Sequence, residues 1–438
     1  MGVALSRGAQ NESVVPPERR RAVPLWLMGM ANAPFGMYGG ILVISVPELL
    51  NARHVPEATI SALTAVTISP GIWSVVASPM LDVRFSRRWY STVTAVLAAV
   101  LLSLGLKCLD DVVLAGSLLV LGFFAANLYQ SALGGWLSSI IEPEERSALS
   151  VWVTIANISG GGAMAVVAGD VMQRYSPIAA VVLLGTLLLL PIAVFPWMPA
   201  PGPDRRLASE SFRQFFAEVV NVVRRPQVLL ALAMFIAPAS SFALVNLLGG
   251  LGSDFRASAH FVGAVGGAGV LLAGIAGCLV FPFIDRLLPL RYLYLTIGVV
   301  GALFTLALML LPRTPLAFAT ALIGENMFQS AAITTSIAIA FETIGHRNPL
   351  AATTFSVIVS VLNLPNTYMV FVDGWGYAWR GVDGSLLVDA GASLAACGLL
   401  ILLLGYLSIR RRAALEVAAL SPAQQLPAPA ATGEDASW

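Results

Sequence analysis

The residue best placed to do chemistry is Glu325, inside the apolar run Leu322-Ile323-Gly324-Glu325-Asn326-Met327. A carboxyl group in such surroundings has three uses. It can carry a proton, bind a basic or hydroxyl-rich molecule, or stay neutral and bond to a neighbouring helix. It reads as the only ionisable side chain deep inside any apolar run of this chain. Two aspartates stand instead at the ends of such runs. Ser78-Pro79-Met80-Leu81-Asp82 is followed by Arg87 and Arg88, and Phe281-Pro282-Phe283-Ile284-Asp285 by Arg291. The chemistry on offer there is a charge latch. Asp82 would pair with Arg87 or Arg88, or cap a neighbouring helix end, with Asp285 and Arg291 as the counterpart. The bland alternative is a surface ion pair worth under about 1 kcal/mol. Polar uncharged side chains recur at similar depths in other runs: Asn32 and Tyr38, Asn127 and Gln130, Asn246, and Gln329. They read as the lining of a polar cavity, or as interhelical hydrogen bonds averaging about 0.6 kcal/mol each.

Other chemistries are excluded by residue type. Lys107 is the only lysine, so no phosphate-binding loop ending in Gly-Lys-Ser/Thr exists. The cysteines Cys108, Cys278 and Cys397 lack CxxC partners, and His54, His260 and His346 fall in separate loops. No catalytic triad or zinc motif is formed, so neither an enzyme nor a metal or cofactor site is expected. A net charge of +1 gives no reason to expect a nucleic-acid partner.

The elements that hold these residues follow from composition. Charged residues make up 11% of the 438, against about 25% in a soluble domain, and 57% are hydrophobic. Such a chain cannot cover a soluble surface, and it reads as an all-α integral membrane protein. Twelve runs are long enough to span a bilayer, at roughly 23–47, 58–80, 90–108, 112–140, 148–171, 177–198, 226–250, 260–284, 291–312, 315–340, 349–373 and 386–408. With twelve spans, nineteen of the 25 Lys and Arg residues fall on the side that holds both termini. The positive-inside rule makes that side the cytoplasm. The expected organisation is a cytoplasmic tail 1–22, a six-helix bundle 23–198, a linker 199–225, a second bundle 226–408 and a disordered tail 409–438. In the linker Phe212, Phe215, Phe216, Val219 and Val220 recur at helical spacing, as in an interfacial amphipathic helix. Gly263-x-x-x-Gly267 in span eight reads as a site of close helix packing.

The two halves echo each other. Asp82 and Asp285 lie 203 residues apart, Ala33-Pro34 and Ala237-Pro238 lie 204 apart, and Tyr129-Gln130-Ser131-Ala132 and Phe328-Gln329-Ser330-Ala331 lie 199 apart. Three matches on equivalent spans at nearly one offset point to a duplicated six-span unit around a pseudo-symmetric centre.

On these features the chain resembles the major facilitator superfamily. Ser78-Pro79-Met80-Leu81-Asp82-Val83-Arg84-Phe85-Ser86-Arg87-Arg88-Trp89 is similar to its loop after span two, with Ser78 for the first Gly and no second Gly. That segment, with Glu142-Pro143-Glu144-Glu145-Arg146 after span four and Gly374-Trp375 after span eleven, resembles the AmpG-like permease branch, the peptide and acetyl-coenzyme A transporters. Siderophore permeases of the RhtX and FptX type share the architecture. Unlike typical AmpG permeases, span four here has no acidic residue. The resemblance implies two six-helix bundles that alternate access to a central site, with the Asp82 latch favouring the outward-facing state. It implies that spans one, four, seven and ten line the cavity, and so Asn32, Asn127, Gln130, Asn246, Glu325 and Gln329. The expected partners are a small-molecule solute, protons as coupling ion and membrane lipids. The protein is expected to be a monomer in a bacterial inner membrane.

Overall fold

The computed structural model describes residues 23–200, 220–239, 243–248, 250–345 and 348–420. The tail 1–22, linker residues Phe212, Phe215, Phe216 and Val219, and residues 421–438 lie outside them. Among the described residues every regular element is helical. Ten helical stretches among the described residues are long and apolar enough to cross a membrane. One of them, Ala351–Arg410, is 60 residues long and holds two spans. It turns back at Arg380 and Gly381, where Gly381 takes φ 60°, a conformation open mainly to glycine. The shorter helix Pro226–Ile236 begins span seven. The outward faces are apolar: Leu310 is 86% exposed, Val113 79% and Phe283 77%, as lipid contact requires.

Two spans are broken at the Ala-Pro positions singled out by the repeat. Span one runs as Leu25–Met30, then Ala33–Gly40, a π-helical turn Ile41–Ser45, and Val46–Asn51. In span seven the helix Pro226–Ile236 ends at an extended Ala237. The next described helix is Ala243–Leu248. Proline has no N–H to donate and crowds the preceding turn, so each break falls where Pro34 or Pro238 follows.

The chain forms two compact units. The first comprises residues 1–224 together with 340–360. Its core packs Tyr38, Ile41, Leu102, Leu119, Phe123 and Leu184. Spans one and five approach closely here. A Cβ at Gly36 would lie 2.0 Å from the Asn157 carbonyl, and one at Gly40 2.2 Å from that of Gly161. The second unit comprises 225–339 and 361–438, around Leu244, Phe255, Leu308, Phe318, Leu322 and Leu386. Two expectations are corrected. A Cβ at Gly263 or Gly267 would meet nothing within 4 Å; in span eight close approach occurs at Gly277, 2.3 Å from the Met327 carbonyl. The final helix also continues to Leu420, beyond the expected boundary at 409, because Ala413, Ala414, Leu415 and Glu416 are good helix formers.

Candidate functional site

In the second unit Glu325 lies on the helix Pro315–Ile344 and is 6% exposed. Thr305, on Leu290–Leu308, donates its hydroxyl to Glu325 Oε1 at 2.5 Å. The two groups border a cavity of about 20 Å³, also lined by Gln329, Asp389 and Ser393. About 10–15 Å³ suffices for one water molecule, so the space matches a single water-sized particle. No Lys, Arg or His lines it. Among the described residues no group of three His, Cys, Asp or Glu side chains could hold a metal ion.

Glu325 is not the only buried acid. Asp373 and Asp389 are 0% and 4% exposed. Both sit in the hairpin of spans eleven and twelve, on either side of the Arg380–Gly381 turn. Spans broken at charges and Pro/Gly clusters, 349–373 and 386–408, leave Asp373 and Asp389 at or near span ends. In fact the helices run on past both, because Gly376 and Gly384 let them close together. A Cβ on Gly384 would lie 2.0 Å from the Gly376 carbonyl oxygen. Ser385 Oγ donates to the Asp373 carbonyl at 2.8 Å across the same contact.

The break in span seven is held by this hairpin. The Ile236 carbonyl accepts from the Tyr368 hydroxyl at 2.6 Å. The Ala239 carbonyl accepts from Ser393 Oγ at 3.2 Å and from Cys397 Sγ at 3.1 Å. Carbonyls released by a broken helix in a membrane need such partners. Ser393 thus touches both the cavity and the break.

In the first unit Asp82 ends a 3₁₀ turn, Ser78–Asp82, and is 2% exposed. Its Oδ1 accepts from Arg87 Nε at 2.8 Å and from Ala352 N at 3.1 Å. Its Oδ2 accepts from Thr353 N at 2.8 Å and Thr353 Oγ1 at 2.7 Å. Asp82 therefore caps the helix Ala351–Leu362, whose first N–H groups have no partner within the helix. Arg87, 2% exposed, also donates to the carbonyls of Asn348 and Pro349, at 3.3 and 2.9 Å. Nothing in the sequence pointed to Asn348 or Thr353, since partners over 260 residues away leave no local signal.

The sites read from sequence are distributed as follows. Asp82 pairs with Arg87, and Arg88 is not among its partners. The counterpart is not duplicated: Asp285 Oδ1 and Arg291 Nε are buried, and neither has a hydrogen bond among the described residues. At the offset of 203 Leu290 stands where Arg87 does, so the Arg87 guanidinium has no equivalent at that position. Tyr38 belongs to the apolar core, its hydroxyl 3.4 Å from the Leu119 carbonyl, a packing position rather than a cavity-lining one. Asn32 donates to the Val153 carbonyl at 3.3 Å and Asn127 to that of Phe123 at 2.8 Å; Gln130 is 6% exposed. These three lie in the first unit, whereas Glu325 and Gln329 share the cavity in the second. Asn246 is on the helix Ala243–Leu248, and its side chain lies outside the described residues.

Comparison with known proteins fits this architecture. The human organic anion transporter MFSD10 (TETRAN) superposes with a TM-score of 0.66 at 15% identity, over 88% of this chain and all of that one (100%). The transporter FucP, in its outward conformation, gives 0.62 at 14%, over 87% and 99%. The proton:xylose symporter XylE gives 0.64 at 12%, over 85% and 94%. At these identities the likeness is one of fold. No curated protein matches at the level of sequence. Residues 28–362 match the Major Facilitator Superfamily. With that match over most of its length, the chain belongs to the major facilitator superfamily, a family of transporters rather than enzymes.

Proposed function

We propose that this chain is a proton-coupled secondary transporter that moves a polar or amphiphilic small solute by alternating access. The observation that carries the coupling is the Glu325 cavity. A carboxyl group is buried there without a cation among the lining residues, in a space for one water-sized particle. A group so placed suits a proton better than a solute, and a charge at the bilayer centre costs about 2.5–3.5 kcal/mol unless it has a use. Asp82 and Arg87 serve as the latch, biasing the alternation through the first turn of Ala351–Leu362. The positive-inside distribution supports cytoplasmic termini in a bacterial inner membrane.

For the solute, Pro79-x-x-Asp82 and Glu142-Pro143-Glu144-Glu145-Arg146 favour the AmpG-like branch and a sugar-peptide import substrate. A siderophore or a coenzyme-like molecule is the second reading, and a non-transporting assembly factor on the same fold the third. A thermal-shift screen of the purified protein separates them, since a ligand stabilises the state it binds by RT ln(1 + [L]/Kd). Muropeptide fragments are expected to raise Tm. A rise with siderophores or coenzyme A derivatives instead moves the assignment to those classes, and no shift with any of them overturns the branch.

A further inference from the structure

We propose that Asp373, Asp389 and Glu325 form a three-carboxyl proton path opening on the membrane face that carries the Arg380–Gly381 turn. The inference rests on the reading of Glu325 as a proton carrier and adds the route by which it is loaded.

Asp373 is the independent sign. It is 0% exposed, and neither of its carboxyl oxygens has a hydrogen bond among the described residues. Each of the three acids lies within electrostatic range of the other two. Asp389 and Glu325 share the cavity, where the remaining polar groups are the Thr305 and Ser393 hydroxyls and the Gln329 amide. The titratable neighbours on the helix of Asp373 are engaged elsewhere. Tyr368 bonds to the Ile236 carbonyl and Tyr377 to Asp254. Arg313, at the face of the turn, is held by Asp383 and lies over the Phe255 ring. Ionised carboxylates within range of one another in a low-dielectric interior repel, and protons are the smallest counter-charge that relieves this.

The positions are graded in depth. At 1.5 Å per residue Asp373 lies about 10 Å from the Arg380–Gly381 turn, and Asp389 about 12 Å. The Arg313–Asp383 pair puts the start of Pro315–Ile344 at the same face, and Glu325 lies about 15 Å in from it. The Ser385–Asp373 bond and the Gly376–Gly384 contact hold the two arms of the hairpin in register, so Asp389 lies slightly deeper than Asp373. Each transfer breaks the O–H bond of one carboxylic acid and forms an O–H bond on the next carboxylate. The negative charge moves one place toward the face.

Infrared spectroscopy of the full-length protein in lipid nanodiscs, moved from H₂O to D₂O, tests this without a solute. Protonated carboxyl groups absorb apart from the amide bands and shift on deuteration. Glu325→Gln is expected to remove part of that band. Asp373→Asn is expected to remove another part and to slow deuteration of the remainder about tenfold or more, as for loss of a proton carrier. Asp373→Glu, which restores a carboxyl, is expected to restore the rate, separating a carrier from a structural residue. If Asp373→Asn keeps the whole band, or its remainder exchanges at the wild-type rate, the path is overturned and the Glu325 reading stands. If Glu325→Gln leaves the band intact, that reading falls as well. An Asp373→Glu protein that melts like wild type but exchanges as slowly as Asp373→Asn also overturns the path.

Discussion

Replacing Asp82 with Asn tests the latch where it is best defined. The carboxylate accepts four hydrogen bonds, from Arg87 Nε, the amides of Ala352 and Thr353, and the Thr353 hydroxyl. Asparagine keeps one acceptor oxygen and turns an NH₂ group toward donors, so at most two of these bonds survive. It also leaves the Arg87 guanidinium, 2% exposed, without its counter-charge. Bonds to a charged group contribute about 1.5–3 kcal/mol each, and breaking a buried ion pair from one side costs about 3–5 kcal/mol. A loss of about 3 kcal/mol corresponds to an opening equilibrium on the order of 10²-fold larger. The assay is hydrogen–deuterium exchange at the peptide spanning 348–356, because Ala352 and Thr353 lend Asp82 amides that no helical carbonyl protects. Faster exchange there, with little change in span six, is the expected pattern. Adding Arg87→Leu, which reproduces the residue at the repeat position Leu290, is expected to recover part of the lost Tm by removing the stranded cation. Unchanged exchange across 348–356 in Asp82→Asn would refute the capping argument outright.

Three further outcomes are expected. Thr305→Val removes the donor at 2.5 Å from Glu325 and is expected to lower stability by about 1–3 kcal/mol in thermal unfolding, while Thr305→Ser retains it. Glu325→Gln is expected to abolish uptake driven by a pH gradient in proteoliposomes loaded with the solute found by the thermal-shift screen, and to spare solute exchange; intact pH-driven uptake ends the coupling role. Gly384→Ala places a methyl group 2.0 Å from the Gly376 carbonyl and is expected to cost about 1–3 kcal/mol, read as a lower Tm.

The legibility of this chain in its sequence divides along the range of the forces involved. Span-length apolar runs are local, and the bilayer demands them, so the helical membrane class followed from composition and length. Glu325 was legible for the same reason: one charge in an apolar run carries its own contrast. Asp373 and Asp389 were not, because Gly374, Gly376 and Gly384 imitate a loop. Only the close contact of Gly376 with Gly384 shows that the helices run on through this stretch. The choice of Arg87 over Arg88 was equally hidden. The two stand side by side in sequence, and the decision rests on Asn348, Pro349 and Thr353, residues from the far end of the chain. The repeat located Asp285 as the counterpart of Asp82, but that Leu290 stands at the decisive position became legible only once Arg87 proved to be the residue paired with Asp82.

The broken span seven bears on how the protein is made. The Ile236 carbonyl finds its partner 132 residues later, at Tyr368, and the Ala239 carbonyl 154 and 158 residues later, at Ser393 and Cys397. At about 5–20 residues per second the ribosome takes roughly 7–30 s to deliver them. Each carbonyl left bare in hydrocarbon costs several kcal/mol, so span seven is a poor lipid segment throughout that interval. It must wait beside water or the insertion machinery until the last two spans arrive. A stall or truncation before Tyr368 therefore strands the second unit with an unsealed helix, however well its earlier spans have inserted.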